Sequence, residues 1–112
     1  MLTLLSALTL AAAPGPLALN PQQATALRCG VVFALGARLQ QDRRAAAADW
    51  PDLQTRGKEF FVRVTAKLMD ETGASREAVS ARAGQEVAAL PSDAAVIAAV
   101  PGCLPLLGAA GL

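Results

Sequence analysis

Helix-starting and helix-stopping residues recur along this chain at helix-length intervals, and no other feature constrains its fold as tightly. Asn20-Pro21-Gln22-Gln23 reads as a start. Asn caps the free amides of a first turn, Pro fits the first helical position, and Gln23 can return the hydrogen bond in a capping box. Asp49-Trp50-Pro51-Asp52 breaks that helix, and Gly73 supplies the left-handed residue that ends a second. Ser75 caps a third, with Glu77 in its first turn where it complements the helix dipole. Pro91 stops the third, and Ser92 or Asp93 caps a fourth.

Between these marks the apolar residues recur at spacings of three and four. In the first helix Ala24, Leu27, Val31, Ala34 or Leu35, and Leu39 form the line. Cys29, Val32, Phe33 and Gly36 broaden it, so the amino half is expected to be almost wholly buried. Gln40 to Arg44 turns polar, and Ala45 to Ala48 can continue the helix without burial. The second helix is expected from about Pro51 or Asp52 to Thr72, with Leu53, Gly57, Phe60, Phe61, Val64 and Leu68 on one face. In the third, Val79, Ala83, Val87 and Leu90 give the buried line. The fourth is short, ending near Val100, where Pro101-Gly102 turns the chain into Cys103. No segment alternates as a strand does, and no repeat is visible. The expectation is an all-α fold, a small orthogonal or bundle-like array of about four helices. It comprises one domain over 20–103 and an apolar tail over 104–112.

Composition bears on the core and on the first residues. Of 112 residues 54% are hydrophobic, but 26 are alanine, so each buries little area and the core is thin. Leu27, Val31, Phe33, Leu35, Phe60, Phe61, Val64, Leu68, Val79 and Val87 are its expected members. Residues 1–27 carry no charge, and Leu2 to Ala13 is an unbroken run of Leu, Ala, Thr and Ser. Twelve helical residues span about 18 Å, short of a bilayer's hydrocarbon core. With small residues at Ala11 to Ala13 and a break at Pro14-Gly15-Pro16, residues 1–19 read as a cleavable signal peptide. The alternative is a short buried apolar helix.

Export gives the two cysteines their meaning. Cys29 and Cys103 lack any Cys-x-x-Cys or histidine partner, so one structural disulfide is expected. The chain has no His and no Tyr, which removes the commonest general base near neutral pH and the commonest metal-binding nitrogen. The remaining carboxylates, basic groups and hydroxyls form no catalytic spacing. No catalytic residue, metal or cofactor is assigned.

One motif points elsewhere. From Leu68 to Ser80 the chain resembles the helix-turn-helix of bacterial transcription regulators, with Gly73 at the turn, Ser75 opening the second helix and Val79 four residues on. That resemblance implies that Ser75, Arg76, Glu77 and Ser80 read bases, with Arg82 on phosphate. Ala74 to Leu90 carries two arginines against two glutamates, whereas nucleic-acid binding draws on excess positive charge. An ordinary αα-hairpin uses the same Gly and Ser.

Phe60, Phe61 and Trp50 read as core anchors before they read as an aromatic pocket. The leading expectation is therefore a small exported helical protein, a non-catalytic binding or stress-related module of the periplasm or the extracellular space, with an unidentified protein partner. In size and single clasp it resembles, in architecture only, the HdeA-like acid-stress chaperones. The alternative is a cytoplasmic helix-turn-helix protein. Heavy use of Ala, and eight Arg against two Lys, fit a GC-rich bacterial source.

Overall fold

The computed structural model describes residues 17–112, and among these the secondary structure is entirely helical. Four α-helices follow one another: α1 (Pro21–Gln41), α2 (Lys58–Thr72), α3 (Arg76–Ala88) and α4 (Asp93–Ala109). A 3-10 turn at Ala45–Ala47 and a wide π-type turn at Leu53–Gly57 fill the α1–α2 connection. Positions 1–16 of the expected signal peptide lie outside the described residues. Leu17 and Leu19, its last apolar positions, pack against Leu27, Val31, Leu68, Val79 and Ala83.

Local chemistry sets the helix starts. Asn20 accepts from the Gln23 amide at 2.8 Å, and its own amide donates to the Gln23 side chain at 3.1 Å, completing the capping box. Ser75 and Ser92 each accept from the amide three residues on, at 3.2 Å. Gly73 ends α2 at φ +71, donating its amide to the Met69 carbonyl. The α1–α2 connection departs from expectation. Arg43 adopts φ +56, so α1 cannot run on through the alanines, and Gln40 fastens the returning chain. The Gln40 carboxamide donates to the Pro51 carbonyl at 2.8 Å and accepts from the Leu53 amide at 2.8 Å. Asp52 then caps the π-type turn, and the regular helix begins only at Lys58.

α1 is the central element. Cys29 to Phe33 are all buried, five consecutive residues, which places neighbours all round this stretch. Burial thus centres on the middle of α1 and not on its amino half, whose first six residues are exposed or half-buried. α2 and the π-type turn cover one side at very close range. A methyl on Gly36 would stand 2.9 Å from Leu53 Cδ1, one on Gly57 2.9 Å from Phe33 Cβ, and one on Gly30 3.1 Å from Phe61 Cδ2. Residue numbers fall along one segment as they rise along the other, so α1 and α2 are antiparallel. α4 covers another side, where Cys29 is bonded to Cys103 and Gly36 lies against Val100. That pairing is antiparallel too. α3 crosses α1 and α2 near the amino end of α1, and α4 leaves α3 at a bend of 112°.

The core falls into two clusters. One joins α1, the π-type turn, α2 and α4 around Phe33, with Leu53, Phe60, Val96, Val100 and Leu107. Phe33 and Phe60 meet edge to face with centroids 5.2 Å apart. The other, around Leu27, Val31, Leu68 and Val79, joins α1, α2 and α3. Leu35, Val64 and Leu90 touch both.

Two further expectations are corrected. Val87 is 43% exposed, because two successive steps of four carry it about 80° round the helix from the buried Val79, past Ala83 and off the core face. And α4 does not stop near Val100: it runs through Pro101 and Pro105 to Ala109, so the expected tail is mostly helix. The prolines are four apart and both exposed, so their rings share the solvent face, where the carbonyls they leave unpaired can meet water. Val96, Val100, Cys103 and Leu107 form the buried line opposite.

Candidate functional site

Two features stand out on this scaffold: a buried clasp and an open groove. The clasp is the Cys29–Cys103 disulfide, whose cysteines are 4% and 6% exposed at the seam of α1 and α4. It joins positions 74 apart in sequence. Further out, Arg44 pairs with Asp93 at 2.6 Å where α4 begins. Arg56 donates to the Leu112 backbone oxygen at 2.6 Å where the chain leaves α4, and Arg63 donates to the Ala110 carbonyl at 3.4 Å. These last two arginines face the carbonyl end of α4, where positive charge complements the dipole.

The groove follows from the antiparallel packing. α2 and α4 both flank α1 but barely touch each other, and a cleft of about 450 Å³ opens between them at the amino end of α1. The half-buried Val64 of α2 and Leu106 of α4 face each other across it, with Phe60 and Leu68 almost wholly buried in the core behind the α2 wall. Arg63, Lys67 and Glu71, the neighbouring line on α2, form its charged rim. Gln22 and Gln23 close it at the first turn of α1. Arg63 is shared between Glu59, at 2.9 Å, and the Ala110 carbonyl. Among the described residues Lys67 has no acidic partner within 4 Å.

The residues implied by the helix-turn-helix resemblance are placed differently. Ser75, Arg76, Glu77 and Ser80 are exposed at the start of α3, and the Ser75 hydroxyl accepts from the Ala78 amide as a cap. Arg82 is half-buried and pairs with Glu86 at 2.7 Å, within a helix that carries balanced charge. The aromatic side chains are mostly core: Phe33 and Phe60 are buried, and Phe61 covers Gly30. Among the described residues no three His, Cys, Asp or Glu side chains come together, so none forms a cluster suited to a metal. No single described helix is long and apolar enough to cross a membrane. The groove was not foreseen from sequence. Its only trace there is the Arg63, Lys67, Glu71 line beside Phe60, Val64 and Leu68, which any amphipathic surface helix would show.

Fold and site together describe a small all-α protein with one buried disulfide and a half-open amphipathic groove. Comparisons with protein-family models, with curated proteins and with solved structures find no match to this chain.

Proposed function

We propose that this chain is an exported, non-catalytic binding module of the periplasm or the extracellular space, made in bacteria with a cleavable leader. The observation that carries the proposal is the buried disulfide between α1 and α4. Disulfides of this kind persist in oxidising compartments and are rare where glutathione and thioredoxin keep thiols reduced. A second support is the uncharged opening of the chain, whose length suits a signal sequence and not a span. The contacts of Leu17 and Leu19 with the α1–α2–α3 cluster favour a cleavage point before Leu17. Binding, as opposed to catalysis, is supported by an open amphipathic groove that holds neither histidine nor a carboxylate pair.

The test is an intact mass and thiol count on protein recovered from the native host. The expected species lacks roughly the first 11 to 16 residues and has both cysteines blocked. A full-length chain with two free thiols would overturn the proposal. The helix-turn-helix reading keeps one favourable observation, the exposed Arg76 and Ser80 at the head of α3. It requires salt-dependent duplex binding that Arg76→Ala weakens.

A further inference from the structure

We infer that the Cys29–Cys103 bridge is a redox latch on one helix: its reduction by a dithiol releases α4, which unravels, while α1, α2 and α3 keep their fold. The release takes one wall from the groove, a consequence that rests on the binding reading above; the release itself does not. The partition of the core supplies the first support. The cluster around Leu27, Val31, Leu68 and Val79 is built from α1, α2 and α3, and none of its described members belongs to α4. Gly30 under Phe61, Gly57 against Phe33, and the Gln40 carboxamide on Pro51 and Leu53 fasten α1 to α2 and to the turn before it without α4. Those three helices therefore have a core of their own, the condition for one element to open while the others hold.

α4 is also weak in itself. Its carboxyl half holds Pro101, Gly102, Pro105 and Gly108; the prolines cannot donate to the Ile97 and Pro101 carbonyls, and glycine is the next poorest helix former. A free helix of this length is marginal in water even with good formers. α4 therefore stays helical through what it leans on, chiefly α1, by Val96, Val100, Cys103 and Leu107. At its amino end Arg44 and Asp93 are 49% and 58% exposed, so their pairing adds little. Apart from the bridge, its covalent tie is the connection through Leu90 and Pro91, where the axis bends by 112°. Both cysteines are buried at the α1–α4 seam, so thiol exchange requires α4 to lift. A thiolate of the dithiol attacks one sulfur, and its second thiol displaces the mixed disulfide. Two electrons and two protons pass to Cys29 and Cys103, and the reductant closes as a cyclic disulfide.

The experiment is hydrogen exchange read by mass spectrometry on the full chain, oxidised, reduced with dithiothreitol, and carrying Cys29→Ser with Cys103→Ser. Without the bridge, amides of Asp93–Ala109 are expected to exchange within about tenfold of the unfolded rate, while those of α1 and α2 stay protected by about a hundredfold or more. Far-UV circular dichroism then loses the signal of 17 helical residues. Pro101→Ala with Pro105→Ala, both at exposed positions, restores protection of α4 in the reduced chain by about tenfold or more. Loss of protection in all four helices together, an α4 as protected as in the oxidised chain, or indifference of the reduced chain to the proline changes would overturn the inference. The mass and thiol count above stands or falls separately, since the exchange pattern is indifferent to export.

Discussion

Gly57 and Gly84 are both helical glycines, yet their surroundings give substitution by alanine opposite signs. At Gly84, in the exposed interior of α3, a methyl group meets nothing within 4 Å. Alanine there gains helix propensity and loses unfolded-state freedom, so Gly84→Ala is expected to stabilise by about 0.5–1 kcal/mol. At Gly57 the same methyl would stand 2.9 Å from Phe33 Cβ and 3.2 Å from Leu53 Cβ. Neither atom is the free end of a flexible side chain. Overpacking at this seam outweighs propensity, and Gly57→Ala is expected to destabilise by about 1–3 kcal/mol. Chemical denaturation of the two variants checks both signs at once. The sequence suggested Gly57 as part of an apolar face, but it carried no sign of how near α1 comes, because that depends on the chain returning through the Gln40 carboxamide. Gln40 itself lies in a polar run that reads as solvent-facing. Its partners are backbone groups of a loop further along the chain, and no side-chain pattern records those.

Among the elements, α1 and α3 were legible from their caps and α2 from its stripe, since capping is local chemistry and amphipathic spacing is a one-dimensional pattern. The end of α4 was not, because two prolines normally mark a stop. What overrides them is their own spacing: four residues apart, they interrupt the helix on one exposed face and leave Val96, Val100, Cys103 and Leu107 aligned against α1 and the core. Val87 erred in the other direction. A run of steps of four drifts round the helix, so Val87 stands about 80° from the buried Val79 and faces solvent. The extended α4 makes a definite claim about Leu107, which is 2% exposed although it lies beyond both cysteines. Leu107→Ala is expected to cost about 2–4 kcal/mol, as for other fully buried leucines, and a melting curve reads it directly. A disordered tail after Cys103 would leave stability unchanged.

For the whole molecule, the disulfide and the thin core belong to one argument. α4 leans mainly on α1, and the side chains from Ala94 to Leu112 carry no charge, so little besides apolar packing and the arginine contacts at its two ends holds it in place. Much of that packing is small, since alanine is the commonest residue. A bridge across 74 positions restricts the unfolded chain by about 4–5 kcal/mol in the chain-entropy model. Small domains have roughly 5–15 kcal/mol in all, so a reduced chain is left with a small margin or none. The expected outcome is that reduction, or the Cys29→Ser and Cys103→Ser pair of changes, lowers unfolding free energy by about that amount. If the double variant does not fold, the equilibrium between bridged and open forms in graded thiol buffers reports the same quantity by linkage. A reduced chain as stable as the oxidised one would remove the clasp from the account of stability, and with it the main physical reason for placing this protein in an oxidising compartment. A large loss would mean that the fold is completed only where the bridge can form, which ties the place of folding to the place of function.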